Sequence, residues 1–143
     1  MVYIRESDTL DIPRILEIWL EASTLSHDFV PRDFWVQKLP AMRDIYIPDS
    51  YTLVAEVDGK VEGFLSLNQY TVAALFVSPE AQGKGLGKSL LQRAMLMKEH
   101  LTLTVYKSNR RAISFYTREG FSRLGEQSCQ HTGFQQVTMV LRS

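Results

Sequence analysis

Apolar residues recur along this chain in two rhythms. Near the N-terminus Ile12, Ile15, Leu16, Trp19 and Leu20 fall on one stripe at helical spacing, and Ser7 or Asp8 stands ahead of them as a cap. The pattern predicts a helix to about Ser23, preceded by a short strand, "VYIRE". "SHDFVPRDF" reads as a loop, and Pro31 suits the start of a second helical region, "RDFWVQKLPAMRDIYI", which Pro40 should break or kink. The rhythm then changes. "YTLVAEV" and "KVEGFLSLN" flank Asp58-Gly59, a turn pair that tolerates positive φ, and predict a hairpin. "TVAALFVS" is apolar on both faces and predicts a central strand. A glycine run, a helix to about Glu99, the strand "LTLTVY" and a short helix, "NRRAISFYTREG", follow, the last ended by Gly120. "FSRLGEQ" and "GFQQVTMVLR" close the chain as strands. The order β-α-α-β-β-β-α-β-α-β-β predicts one α/β domain over residues 1–143.

Composition narrows the function classes. Of 143 residues, 45% are hydrophobic and 22% charged, as in ordinary globular domains. The formal net charge of zero argues against a general nucleic-acid binder. A single cysteine, Cys129, leaves no internal disulfide and no cysteine-rich zinc site. "MVYIRESDTLDI" lacks the apolar core of a signal peptide, and no stretch reaches the ~18 apolar residues of a membrane helix. A cytoplasmic protein without membrane or nucleic-acid partners is expected.

The glycine run is the chemical clue. "ALFVSPEAQGKGLGKSLLQRAM" leaves an apolar strand and opens a helix, with Gly83, Gly85, Gly87, Lys88 and Ser89 at the junction. A helix N-terminus offers unpaired N–H groups and roughly half a positive charge, and glycines let the backbone curl around a phosphate. Two nucleotide patterns fail by counting. G-x-x-x-x-G-K-[ST] would need its first glycine at Gln82, and G-x-G-x-x-G would place its third on Lys88. The spacing that fits is Q-x-x-G-x-G, at Gln82, Gly85 and Gly87. About thirty residues on stands N-x-x-A-x-x-F-Y-x-x-x-G-F, at Asn109, Ala112, Phe115, Tyr116, Gly120 and Phe121.

These two motifs, with a strand between them, resemble those of the GCN5-related N-acetyltransferase (GNAT) superfamily, and the order of elements matches along most of the chain. The resemblance implies a mixed, mostly antiparallel sheet splayed at an acetyl-CoA site, with helices on both faces. It implies that Gln82, Gly83, Lys84, Gly85, Leu86, Gly87 and Lys88 cradle the diphosphate of coenzyme A. Pantetheine would pair with backbone groups of Leu75, Phe76 and Val77 like an added strand. Asn109, Ala112 and Tyr116 share a helix face towards the cofactor. In this family the tyrosine points its hydroxyl at the coenzyme sulfur, so Tyr116 is expected to act as an acid in a direct transfer of acetyl to an amine.

The acceptor amine must shed a proton, because a lysine with a pKa of about 10.4 is only about one part in two thousand neutral at pH 7. Many family members place a glutamate by the central strand; "NQYTVAAL" offers none. Glu56 and Glu62 read as exposed hairpin carboxylates. His27, in the loop that covers the acceptor site in this family, is the candidate base or substrate contact. Phe29 and Trp35 are candidate acceptor-binding residues, with Phe34, Arg43 and Tyr46 nearby in sequence; Trp35 also suits a helix core. His100 and His131 read as surface residues, and no histidine pair has metal-ligand spacing. Cys129 reads as a bystander thiol. Acceptors left open include a protein lysine and small-molecule amines. The rival class is a non-catalytic acetyl-CoA sensor. The final strands leave an edge that permits either a monomer or a homodimer.

Overall fold

The computed structural model describes residues 2–142. Seven strands form one sheet: β1 (Val2–Glu6), β2 (Tyr51–Val57), β3 (Lys60–Asn68), β4 (Thr71–Val77), β5 (His100–Tyr106), β6 (Ser122–Ser128) and β7 (Gln135–Arg142). Their spatial order is β1-β2-β3-β4-β5-β7-β6. Every neighbouring pair is antiparallel except β4 and β5. The helices are α1 (Ile12–Ser26), α2 (Arg32–Val36), α3 (Leu39–Ala41), α4 (Leu86–Met97) and α5 (Arg110–Arg118).

Alternation along the strands divides the core in two. Leu53, Leu65, Leu67, Leu103 and Met139 face α4 and α5, where Leu86, Leu90, Leu91, Ala94, Ile113 and Tyr116 meet them. Val54, Phe64 and Phe76 face the other way, against Ile15, Ile18 and Trp19 of α1 and Trp35 of α2. Helices thus cover both faces, as the α/β reading predicts.

The join between β4 and β5 departs from the rest of the sheet. The strands pair in parallel at Thr71–Thr102, and the Thr102 N–H donates to the Tyr70 carbonyl at 2.9 Å. Past that point they part. A register shift between Ser66 and Leu67 on the other side of β4 gives the strand a local bend there. The closed end is clamped by side chains: Tyr70 stacks on His100 with centroids 4.3 Å apart, and the Lys98 ammonium lies 5.4 Å from the Tyr70 ring centre.

Three expectations are refined. The first helix is entered through a 3₁₀ turn, Thr9–Asp11, whose capping box joins Asp8 and Asp11, and it runs on to Ser26. The region 32–47 is not one kinked helix. It is α2, then α3 with Pro40 in its first turn, then a π-helical turn at Met42–Tyr46, so the break falls ahead of the proline. The apolar β4 is central but not buried throughout: Ala73 is exposed and Ala74 to Val77 are half-buried, because one flank opens on a cleft.

Candidate active site

The divergence of β4 and β5 opens a cleft of about 530 Å³. Its walls are Val72 to Val77 on one side and Leu103 to Tyr106 on the other; Gln82, Gly83 and Gly85 to Lys88 lie at one end, and the cleft face of α5 supplies Asn109, Ala112, Phe115 and Tyr116. At the opposite end stand Trp19, Ser23 and His27 of the α1 end and Trp35 of α2.

The cleft edge of β4 can be read from its pairing with β3. The Ser78 N–H donates to the Glu62 carbonyl at 2.8 Å, so even-numbered residues turn their backbone groups to β3. Leu75 and Val77 therefore present their N–H and C=O groups to the cleft, while Phe76 pairs with Phe64 and lays its ring against it at 5.9 Å. The Gln82 carboxamide already donates to the Val77 carbonyl at 3.2 Å, tying the glycine loop to the strand end.

The loop is built for an anion. Gly83 and Gly85 sit at φ +82° and +81°, which only glycine adopts without strain, and Gly85 caps α4. Apart from Lys84, whose N–H closes the turn at Gln82 and Gly83, no N–H from Gly83 to Lys88 bonds to a described residue; the first in α4 to do so is that of Ser89, which reaches Gly85 O at 3.0 Å. Those donors and the positive end of α4 face the same opening. At Gly87 an added Cβ would meet Phe115 and Val77 at 3.8 Å, ordinary contact, so this glycine is not sterically required. Lys88 lines the cleft, whereas Lys84 is exposed outside its lining.

On α5 the Asn109 side chain caps the helix, accepting from the Ala112 N–H at 3.1 Å. Tyr116 is 7% exposed, its ring packed on Phe115 and Phe121, and burial pushes its phenol well above the usual range. Its hydroxyl bonds to no described residue. Phe115 is half-buried against the same core while also lining the cleft.

At the far end His27 lies in an aromatic nest: Tyr106 at 4.9 Å, Trp35 at 5.5 Å and Phe29 at 5.9 Å. Burial lowers its pKa, so the ring is neutral at pH 7. Its Nδ1 is sealed without a partner, as are Ser23 Oγ and Trp35 Nε1 beside it. Each such orphan costs ~1–3 kcal/mol, so the aromatic packing at this end of the cleft is kept against three unmet polar groups. No aspartate or glutamate is among the described residues lining the cleft. Glu56 and Glu62 are not free hairpin carboxylates: Glu56 pairs with Arg5 at 2.9 Å and Glu62 with Arg14 at 2.6 Å. Among the described residues, no group of three His, Cys, Asp or Glu side chains comes together to hold a metal.

A family model for the acetyltransferase (GNAT) domain matches residues 48–123, over half of the chain, from β2 to the start of β6. The chain belongs to the GNAT acetyltransferase family. It is accordingly an N-acetyltransferase. Among curated relatives, the peptidyl-lysine N-acetyltransferase YiaC of Escherichia coli K12 is 41% identical over 119 residues, 82% of each chain. Among solved structures, apo YjaB of Escherichia coli superposes with a TM-score of 0.86 at 24% identity, covering 98% of this chain and 97% of that one. The PaiA N-acetyltransferase of Thermoplasma acidophilum, solved with coenzyme A, gives 0.80 at 19%, covering 100% and 99%.

Several cleft residues of this GNAT enzyme had no signature in the sequence. Trp19 read as part of the apolar stripe of the first helix, Ser23 as the end of that helix, and Tyr106 as a strand end. Tyr106 meets Cys129, which is buried 3.7 Å from the Tyr106 hydroxyl rather than loose in a polar stretch. Burial alone would raise the Cys129 thiol, but hydrogen bonds from Thr132, His131 and Tyr106 together bring it below its usual value. Arg111 and Arg118 also line the cleft beside the two motifs. Conversely Phe34, Arg43 and Tyr46 stand outside its lining, Arg43 pairing with Asp44 on the surface.

Proposed function

We propose that this enzyme transfers acetyl from acetyl-CoA to a lysine side chain of a peptide or protein, by direct attack in a ternary complex. The observation that carries the reading is the cleft: free backbone donors at Gly83 and at Gly85–Lys88, strand N–H groups without a partner at Leu75 and Val77, and Tyr116 and His27 along one channel. The curated relative named above as a peptidyl-lysine N-acetyltransferase supports the acceptor, and the PaiA complex with coenzyme A supports the donor.

The residues fit that donor. Amides of the glycine loop suit paired phosphates, with Lys88 close by, and the β4 edge suits the amide-bearing arm of the coenzyme. Acetyl-CoA supplies the acyl group as an activated thioester. Tyr116, protonated at any physiological pH, donates its phenolic proton to the departing sulfur. His27 is neutral and holds an unsealed Nε2; with no carboxylate in the described lining, it takes the proton that the acceptor nitrogen releases. Trp35 walls the aliphatic stem of the acceptor, while Phe29, outside the cleft lining, backs His27. Asn109 and Ala112 shape the coenzyme side, one by capping α5 and the other by being small. Cys129 has no part in the transfer, which needs no acetyl-enzyme.

A cytoplasmic location belongs to this reading; among the described residues no helix is long and apolar enough to cross a membrane.

The test is thiol release from acetyl-CoA with a panel of lysine peptides and small amines, with mass spectrometry of the products. Acetyl on the lysine ε-nitrogen is the expected result. Tight coenzyme binding with no transfer to any amine overturns it in favour of a sensor, and transfer to small amines alone overturns the acceptor class.

A further inference from the structure

A second cavity, about 680 Å³, lies across α5 from the cleft. The helix divides the two. Arg110, Ile113 and Ser114, at i, i+3 and i+4, share the side that lines the second cavity, while Arg111, Phe115 and Arg118 line the first. Lys107 from the end of β5, Arg123 from β6 and Phe134 ahead of β7 complete it.

Its charge is one-sided. Lys107 pairs with Glu126 at 3.2 Å, but Arg110 and Arg123 are exposed and have no ion pair with a described residue. The groove thus gathers Lys107, Arg110 and Arg123 against the carboxylate of Glu126, in a chain whose net charge is zero. The groove is also joined to the acceptor end of the cleft. The Phe134 ring, 44% exposed, packs on Phe29 at 4.8 Å, and Phe29 packs on His27 at 5.9 Å.

We propose that this groove docks acidic side chains flanking the acceptor lysine, so that the enzyme selects lysines in acidic segments of its protein substrates. The inference rests on the peptidyl-lysine reading above. An extended peptide advances ~3.3 Å per residue, so the two ring spacings correspond to about three residues. Carboxylates on the order of three to six residues from the lysine then reach Arg110 and Arg123, with Phe134 under the intervening chain. Arginine suits this partner because its planar fork binds carboxylates in pairs of hydrogen bonds.

The experiment compares two lysine peptides that differ only in bearing three Glu or three Gln at those distances, with a small alkylamine as reference acceptor. The expected result is a KM roughly three- to tenfold lower for the Glu peptide at low ionic strength, shrinking as salt is added. In the double variant Arg110→Glu/Arg123→Glu the preference inverts, while the rate with the alkylamine is unchanged. Equal KM values in the wild type, or a variant that loses alkylamine and peptide turnover in proportion, overturn the proposal. So does equal competition by a single-stranded RNA of matched charge, which would assign the groove to nucleic acid. Acetylation of the alkylamine with neither peptide used overturns the acceptor reading itself, and the docking site with it.

Discussion

Two side chains carry the proposed chemistry, and burial sets the state of each. Tyr116 is embedded in the α5 core, so its phenol stays protonated well past neutrality. Its hydroxyl makes no hydrogen bond to a described residue, so Tyr116→Phe removes the proton donor without removing a structural contact. Turnover is expected to fall by ~10²–10⁴-fold, with acetyl-CoA affinity by calorimetry and melting temperature nearly unchanged. Unaltered kcat would take Tyr116 out of the reaction. For His27 the burial acts in the opposite sense, since it disfavours the charged imidazolium and lowers the pKa from 6.5. The acidic limb of kcat/KM is therefore expected below pH 6.5, and in His27→Gln that limb disappears together with most of the rate. The same shift has a signed effect on stability. Below about pH 6.5 the unfolded chain takes up a proton that the folded chain resists, so stability is full above that pH and is lost as pH falls through the folded value. Melting curves from pH 7.5 down to 5 read this directly: the wild type loses stability across the window and His27→Gln is flatter.

At the scale of elements, the turn between β4 and α4 converts sequence into a binding surface. Its shape depends on two positive-φ residues, Gly83 and Gly85, around which there is open space. A methyl group at Gly85 meets no neighbour within 4 Å, so the cost of Gly85→Ala is conformational and not steric. That cost is ~1–2 kcal/mol for an L-residue forced to φ near +80°. The variant is expected to melt a few degrees lower and, because the amides of Leu86 and Gly87 swing away, to bind acetyl-CoA at least tenfold more weakly. Calorimetry and a thermal scan separate the two effects; a variant with wild-type affinity would mean that the loop amides do not hold the coenzyme. The element carrying the second motif behaves differently. In α5, Asn109 serves as a cap, Tyr116 as a cleft wall and Gly120, at φ +106°, as the exit, so one nine-residue helix serves both folding and catalysis.

Across the whole molecule, the functional feature is an interrupted sheet. Six strand pairings tie seven strands together, and the β4–β5 pairing, closed at Thr71–Thr102, is open along the remaining length. Sheet amides are normally satisfied, so the N–H groups of Leu75 and Val77 are left without a strand partner by the fold as a whole. Hydrogen–deuterium exchange is expected to show them fast in the free enzyme and protected by coenzyme A, while Phe76 and Ala74, paired to β3, stay slow in both. Protection that fails to appear at Leu75 and Val77 would rule out strand-like docking of the coenzyme arm. We further propose that residues 1–143 act as one domain, since the sheet is continuous and both halves of the core share β2, β3 and β4; a single cooperative unfolding transition is the expected result.

Much of this was legible in the sequence because the physics involved is local. Spacing set the helices and strands, glycines at positive φ set the turn, and Asn109 to Tyr116 set a helix face, each within about a dozen residues. The second helical region escaped because three short turns and one kinked helix share the same apolar spacing, and packing of Trp35 on Trp19 at 5.8 Å chooses between them. The cleft itself was decided only by tertiary structure. Nothing local in "TVAALFVS" says that one edge stays open, because that depends on where β5 lies. Nor does any local pattern bring Tyr106, Trp35 and Phe29 around His27, neutralise Glu56 and Glu62 with Arg5 and Arg14, or set Arg110 beside Arg123 across a groove. The contacts of His27 with Tyr106, Arg5 with Glu56 and Arg14 with Glu62 join parts of the chain far apart in sequence. Sequence rhythm specifies the elements, since their hydrogen bonds close over a few residues; the site belongs to the assembled sheet, since its walls come from parts of the chain that meet only on folding.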